Sequence, residues 1–86
     1  MEILRTKTFQ KAYDKLAENP KTKVDDALAL FLADRTDPAL RDHPLKGKMK
    51  EFRSFSAAWD LRIIYREKGG FITVILMHVG SHNQVY

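Results

Sequence analysis

Residues 59–79 read WDLRIIYREKGGFITVILMHV, in which two apolar segments flank the turn Lys68-Gly69-Gly70. The segments 59–66 and 71–79 are short, rich in β-branched and aromatic residues, and bounded by turn residues, which is typical of strands. A glycine pair between two such segments favours a tight hairpin. The sequence therefore predicts two adjacent antiparallel strands. The second is apolar on both faces, which suits a central strand covered by helices on one side.

Two amphipathic helices are predicted before this hairpin. Apolar residues recur at helical spacing in two runs, which are Phe9, Ala12, Tyr13, Leu16 and Ala17, and then Val24, Ala27, Leu28, Phe31 and Leu32. The first run predicts a helix that Asn19-Pro20 ends, because the residue before a proline avoids the helical conformation. Thr22 with Asp25 three residues later resembles a capping box, which predicts that the second helix begins there. The two helices would form a hairpin.

The remaining segments complete an α+β fold. Residues 2–6 are predicted to form a short strand, residues 34–41 are predicted to form a loop, and Phe52 and Phe55 bracket one more strand. The predicted order is β-α-α-β-β-β, with an N-terminal helix hairpin packed on a small antiparallel sheet. At 86 residues the chain has room for one domain, which we expect to span residues 1–86.

Composition excludes several classes of protein. The chain has no cysteine, which excludes disulfides, thiolate catalysis and cysteine-ligated zinc, and leaves three histidines as its only soft metal ligands. No apolar run approaches the roughly 18 residues that a membrane span needs. The first residues, MEILRTK, lack the apolar region of a secretory signal, so we expect a cytoplasmic protein with no membrane partner.

Positive charge is concentrated in the second half of the chain. Residues 1–45 contain eight Lys or Arg and eight Asp or Glu, whereas residues 46–86 contain seven Lys or Arg and three Asp or Glu. The formal net charge of +4 therefore arises after residue 45. Such an asymmetry fits either a solvated basic surface or a surface that faces a polyanion, with nucleic acid as the first candidate.

Four motifs of the second half carry a family resemblance. They are Asp42-His43-Pro44-Leu45-Lys46-Gly47-Lys48, Phe52-Arg53, Asp60-Leu61-Arg62-Ile63-Ile64-Tyr65-Arg66 and Val79-Gly80-Ser81-His82-Asn83-Gln84-Val85-Tyr86. Together they resemble the RelE/ParE toxin superfamily, and within it the YafQ-like branch, over essentially the whole chain. The resemblance implies the toxin of a type II toxin–antitoxin system. It would be a metal-independent endoribonuclease, without a cofactor, that cleaves mRNA in the A site of the 70S ribosome.

The resemblance also implies a cognate antitoxin that neutralises the toxin, with operator DNA bound only through the toxin–antitoxin complex. We expect a partly disordered, acidic antitoxin segment to cover the basic face of the sheet and to fold as it binds. Complementary charge would hasten the encounter of the two proteins.

Metal-free RNA cleavage needs a base for the ribose 2′-OH, positive charge for the phosphorane-like transition state, and an acid for the 5′-oxygen. The resemblance assigns the acid–base work to His43, Asp60 and His82 as a set, with His82 as the first candidate and the individual roles open. Each residue also has an ordinary interpretation without the resemblance. His43 would be a structural loop histidine, Asp60 an ordinary turn aspartate, and His82 a solvated histidine; with the resemblance, Asp60 could act as the base or orient a histidine.

Further residues are implied in RNA binding. Tyr86 matches the terminal aromatic residue of the family, which stacks on a base. Positive charge for phosphate and rRNA would come from Lys46, Lys48, Lys50, Arg53, Arg62 and Arg66. Arg53 and Arg62 are expected to be the best placed, because both would lie on strands leading to the same edge. The lysines fit a solvated surface equally well.

Two positions depart from the YafQ-like pattern. Ser56 stands where that branch has a second active-site histidine, and Leu61 follows Asp60 where the branch has a tryptophan, while Trp59 precedes the aspartate. Either the site is rearranged, with Trp59 exchanging roles, or turnover is weaker. His78 matches no motif and is predicted to be a partly buried structural histidine.

Two other functions remain open at this point. A ParE-like toxin of the same fold would poison DNA gyrase and would not need His43, Asp60 and His82. A toxin relic would only bind an antitoxin and operator DNA.

Overall fold

A five-stranded sheet in the order β1-β5-β4-β3-β2 forms the base of the fold. The computed structural model describes residues 1–86. The strands are β1 (Glu2–Arg5), β2 (His43–Pro44), β3 (Arg53–Ala58), β4 (Leu61–Lys68) and β5 (Thr73–Gly80). Strands β2 to β5 pair antiparallel, whereas β1 runs parallel to β5. The predicted α+β order is thus confirmed, but the expectation of a wholly antiparallel sheet is wrong at β1, and the two-residue strand β2 is an addition.

Three helices complete the chain: α1 (Lys7–Asp14), α2 (Glu18–Ala33) and the short α3 (His82–Val85). Helix α1 packs on β5, and α2 packs on β3. Helix α3, which follows β5 at once, is an addition to the predicted order. None of the three has the length and apolar character that crossing a bilayer requires.

The predicted boundary between α1 and α2 is wrong. Helix α1 ends at Asp14, and α2 begins with Ala17 as its N-cap, so Pro20 lies in the first turn of α2. Proline is tolerated there because the first-turn N–H groups have no partner within the helix. Thr22 is inside α2 and does not cap it, since its hydroxyl donates to the Glu18 carbonyl at 3.2 Å.

One hydrophobic cluster of 13 buried residues lies between the helices and the sheet. At its centre the Phe31 and Phe55 rings stack at 4.6 Å, and the Tyr65 ring meets them edge-on at 5.2 and 5.6 Å. Such aromatic pairs contribute about 0.5–1.5 kcal/mol each beyond the burial of their area. The residues of α1, α2 and the sheet therefore share a single core.

Strand alternation assigns each side chain of β3 and β4 to one of two faces. Phe55, Ile63 and Tyr65 belong to the core and so face the helices. Their immediate neighbours in each strand lie on the opposite face, which we call the second face. These neighbours are Ser54, Ser56, Arg62, Ile64 and Arg66. This separation decides which charged side chains can act together.

Two connections between elements contain well-defined turns, one between β4 and β5 and one between α2 and β2. The β4–β5 turn was predicted, and Gly69 and Gly70 adopt the left-handed backbone, with φ of 64° and 66°, that glycine allows. The segment 34–41, predicted as a loop, contains a 3₁₀ turn (Pro38–Leu40) in which Asp37 caps the Ala39 N–H at 2.9 Å. Leu40, only 1% exposed, anchors this turn in the core.

Candidate active site

The tip of the β3–β4 hairpin is tied to the start of α3. Asp60 at the tip has φ of 53°, a left-handed conformation that aspartate tolerates better than most residues. Its Oδ1 accepts a hydrogen bond from the His82 backbone N–H at 3.0 Å. A free N–H at the first turn of a helix is a ready donor to a carboxylate. Asp60 and His82, which are 22 residues apart in sequence, are therefore neighbours in space.

Helix α3 brings His82 and Tyr86 together. Residues four apart share one side of a helix, and here the two rings lie 4.4 Å apart between centroids. Both side chains are exposed, Tyr86 by 43%. Asp60, His82 and Tyr86 thus form one group, which we call the C-terminal cluster.

Gly80 permits the fold of α3 back towards β5. The Ser81 N–H donates to the Gln84 Oε1 at 2.8 Å, which closes the first turn of the helix. A Cβ on Gly80 would lie 2.7 Å from that Oε1 and 3.2 Å from the Gln84 Cβ. The glycine of the G-S-H motif therefore makes room for the side chain that caps α3.

His43 lies apart from the C-terminal cluster. It is exposed on β2, where its Nδ1 is 2.8 Å from the Arg41 carbonyl oxygen. Because a carbonyl only accepts, the neutral ring carries its proton on Nδ1 and leaves the Nε2 lone pair free. Strand β2 is three strand spacings, about 14 Å, from β5. The structure therefore joins Asp60, His82 and Tyr86 but does not bring His43 into contact with them.

A cavity adjoins the hairpin tip. It measures about 330 Å³ and is lined by Ala39, Arg41, Ser56, Ala57, Ala58, Trp59 and Arg62. Arg62 lies opposite Gly80 in the β4–β5 register, but no residue of α3 lines the cavity. Sequence reasoning identified Arg62 but missed Arg41. The Asp37-Pro38 pair, typical of a turn start, was the available signal that the chain reverses just before Arg41.

Arg53 is bound elsewhere, and the expectation that it shares an edge with Arg62 is wrong. Arg53 pairs with Tyr65 in the β3–β4 register, whereas Arg62 pairs with Ser56, so they lie at different ends of the hairpin and on different faces. The Arg53 Nε contacts Asp42 Oδ1 at 3.3 Å and donates to the Tyr65 hydroxyl at 3.0 Å.

Asp42 is the common partner of Arg35, Arg53 and Tyr65. Its side chain is 5% exposed and also pairs with Arg35 at 3.1 Å. The Tyr65 hydroxyl donates to Asp42 Oδ1 at 2.6 Å. Burial, and then the hydrogen bond to Asp42, raise the pKa of Tyr65. We call Asp42, Arg35, Arg53 and Tyr65 the Asp42 network; the sequence motif contained Asp42 without revealing this role.

The remaining residues named in the sequence analysis are exposed or partly buried. Lys46, Lys48 and Lys50 are exposed around a 3₁₀ turn between β2 and β3. His78 is partly buried as predicted, and its Nδ1 accepts from the Val79 N–H at 2.8 Å.

The whole chain, residues 1–86, matches the family described as the bacterial toxin of type II toxin–antitoxin systems, YafQ. It is similar to a copper-bound mutant toxin from Helicobacter pylori, at 32% identity and a TM-score of 0.80, over 100% of this chain and 99% of that one. It also resembles YafQ from E. coli strain BL21(DE3), at 18% identity and a TM-score of 0.82, over 99% and 97% of the two chains.

The same fold occurs in the E. coli DinJ–YafQ toxin–antitoxin complex, at 19% identity and a TM-score of 0.79, over 99% of this chain and 96% of that chain. Among curated proteins no sequence matches significantly. Although the Helicobacter relative binds copper, no group of three or more His, Cys, Asp or Glu side chains here is placed to hold a metal ion.

Proposed function

Because the chain belongs to the YafQ family of toxins of type II toxin–antitoxin systems, we propose that it is a ribosome-dependent endoribonuclease. It would cleave mRNA in the A site and so arrest translation. The observation that carries the proposal is the C-terminal cluster, in which a carboxylate fixes the backbone of an exposed histidine beside an exposed aromatic ring.

The reaction is an internal transesterification. The ribose 2′-oxygen forms a bond to the adjacent phosphorus while the bond from phosphorus to the 5′-oxygen breaks, leaving a 2′,3′-cyclic phosphate and a 5′-hydroxyl. A base takes the proton of the 2′-OH, and an acid gives a proton to the departing oxygen. An imidazole can perform either transfer at neutral pH. We assign one transfer to His82, the exposed imidazole of the C-terminal cluster.

Asp60 acts through His82 in this scheme. Its Oδ1 already accepts the His82 N–H, so it orients the first turn of α3. We therefore propose Asp60 as a positioning residue. Tyr86, whose ring lies 4.4 Å from that of His82, would stack on a base next to the reacting ribose.

His43 is proposed as the second proton-transfer group. Its free Nε2 can accept a proton, and its pairing with Ser54 puts it on the second face with Arg62. RNA lying across that face would pass from β2 towards β5 and meet both histidines. Arg62, Lys46 and Lys48 would contact its phosphates, since none of them is in an ion pair. Arg53, held by Asp42, is left out of this set.

A cognate antitoxin is the second proposed partner. The E. coli relative of the same fold forms a complex with DinJ. We propose that an acidic segment of this chain's antitoxin covers the second face and the C-terminal cluster, and that operator DNA is bound through that complex. The association rate should then fall as salt concentration rises. A rate independent of salt would contradict this charge-guided encounter.

The test of the function is cleavage of a defined mRNA on programmed ribosomes, with EDTA present and a ribosome-free control. Wild type is compared with His82→Ala and with the matched variant His78→Ala, whose histidine lies outside the cluster. We expect A-site cuts that need the ribosome and that fall roughly 100- to 10,000-fold in His82→Ala only. Undiminished cleavage by His82→Ala would remove its assigned role. Growth arrest without cleavage by wild type would favour a gyrase-poisoning toxin instead.

A further inference from the structure

The cavity beside the hairpin tip is lined by none of the proposed proton-transfer residues. Its only charged lining groups are the guanidiniums of Arg41 and Arg62, and no carboxylate lines it. Ser56 adds a hydroxyl, and the Trp59 indole forms part of the rim. Two cations, a hydroxyl and an aromatic ring around about 330 Å³ make a space suited to an anionic, aromatic ligand.

The two arginines are not neutralised from within the chain. The protein contains two ion pairs between side chains, both of them to Asp42, from Arg35 and Arg53. Arg41 and Arg62 therefore have no carboxylate partner within the chain. A guanidinium without a carboxylate partner binds phosphate oxygens with two parallel hydrogen bonds.

Arg41 is held at the cavity by a strained backbone. Its φ of 51° lies in the left-handed region, where glycine or asparagine is the usual residue after a helical turn. Such a conformation raises the energy by about 1–3 kcal/mol and persists where its surroundings fix it. Here buried Leu40 anchors the preceding turn, and the Arg41 carbonyl binds the His43 ring. The same residue thus faces the cavity and orients a histidine of the proposed acid–base set.

Trp59 is 94% exposed at the hairpin tip. It also lines a second cavity of about 370 Å³ that contains Asp60 and Ser81, the residues next to the start of α3. A large indole left in water contributes almost nothing to the core, but it offers a flat surface on which any nucleic-acid base can stack. Because Trp59 lines both cavities, it connects the cavity beside the hairpin tip to Asp60 of the C-terminal cluster.

We propose that Arg41, Arg62 and Trp59 form a subsite for one nucleotide of the RNA, next to the nucleotide that is cleaved. Its phosphate lies between the two guanidiniums, and its base stacks on Trp59. This inference rests on the proposed function, because it identifies the neighbouring nucleotide of the same substrate.

The single tryptophan of the chain allows a direct test, since all intrinsic indole emission comes from Trp59. His82→Ala toxin, which leaves the RNA intact, is titrated with a short RNA carrying a distant dye. Dye anisotropy measures binding, and indole emission measures stacking. We expect emission to be quenched in step with binding. An oligonucleotide with abasic sites should bind with little quenching.

Three further substitutions on the same background separate charge from stacking. Trp59→Ala should weaken binding roughly 5- to 150-fold without changing the slope of log K against log salt. Arg41→Gln should reduce that slope by about 0.7, the value for one phosphate contact to a single strand. Lys7→Gln, which removes an exposed charge on α1, should keep the slope within a few tenths. Thermal melts confirm that each variant is folded.

Saturated binding without a change in indole emission would overturn the subsite, and so would an absence of binding at low salt. Ribosomal cleavage by the wild type, measured in parallel, separates this result from the function. Cleavage without quenching would reject the subsite and keep the endoribonuclease. Quenching without cleavage would keep the nucleotide site and reject the endoribonuclease.

Discussion

The Asp42 network and the hairpin-tip cavity use arginine in opposite ways. In the network, Arg35 and Arg53 both bind one carboxylate whose side chain is 5% exposed. In the cavity, Arg41 and Arg62 have no carboxylate partner. Removing charge from water is costly unless it is paired, so paired arginines hold a fold and unpaired ones remain available to a ligand. In a basic protein, the position of the few buried carboxylates therefore decides which arginines can bind nucleic acid.

The largest expected effect is a loss of stability when the Asp42 network is broken. Asp42→Ala leaves two arginines and the Tyr65 hydroxyl without their common partner, so we expect the free energy of unfolding to fall by about 3–5 kcal/mol. Urea denaturation measures it. Asp26→Ala, at an exposed aspartate of α2, should change stability by less than about 0.5 kcal/mol. A loss below about 1 kcal/mol for Asp42→Ala would mean that the network does not hold the fold.

The next prediction distinguishes two roles of Asp60, holding the His82 backbone in place and supplying a negative charge. Asp60→Ala loses the acceptor for the His82 N–H and strains a residue with φ of 53°, so we expect ribosomal cleavage to fall at least tenfold. Asp60→Asn keeps a carbonyl oxygen and tolerates that backbone, and it should stay within about tenfold of wild type. If Asn were as inactive as Ala, the carboxylate charge itself would take part in the chemistry.

A smaller effect follows from the raised pKa of Tyr65, caused by burial and then by Asp42. The folded protein keeps the phenol proton at a pH where the unfolded chain, with a pKa of about 10, releases it. The stabilisation is therefore complete below that pH and is lost as pH rises, by up to about 1.4 kcal/mol per unit.

Denaturation curves at pH values from about 9 to 11 test this point, because the unperturbed tyrosine pKa lies within that range. Tyr65→Phe has no phenol to ionise, so its stability should decline less steeply than that of wild type. Parallel declines would show that the Tyr65 phenol is not coupled to folding.

The smallest effect is expected at the hairpin tip. Trp59→Ser removes a side chain that is 94% exposed, so the free energy of unfolding should change by less than about 0.5 kcal/mol. Urea denaturation beside Asp42→Ala gives the contrast directly. A loss of about 2 kcal/mol would show that the indole packs on the protein in solution and is not free for a base.

Much of the fold was predictable because hydrophobic periodicity reports burial directly. The β4–β5 hairpin and both long helices follow from it. The α1–α2 boundary was not, because a proline that ends one helix and a proline in the first turn of the next have the same local sequence. The parallel pairing of β1 is a long-range contact, which no local pattern encodes.

The candidate site was predictable only as a set of residue types. Motifs identified Asp60, His82 and Tyr86, and the structure joins them. The bond from the His82 backbone to Asp60 was hidden, because a main-chain donor has no residue signature. The position of Arg53 was predicted wrongly because its partner, Asp42, is 11 residues away in sequence. Which carboxylate an arginine pairs with depends on which one the fold buries beside it.

The pairing of β1 with β5 sets an order of events during synthesis. Glu2 lies opposite Thr73, so the first strand to leave the ribosome waits for the partner that closes its edge. Contacts so distant along the chain form late. The hydrogen bond from the His82 N–H to Asp60 likewise forms only after residue 82 has been made. The candidate site of a nascent chain is therefore assembled only after β5 and α3 have emerged, so under the proposed function the chain could not act on the ribosome that is making it.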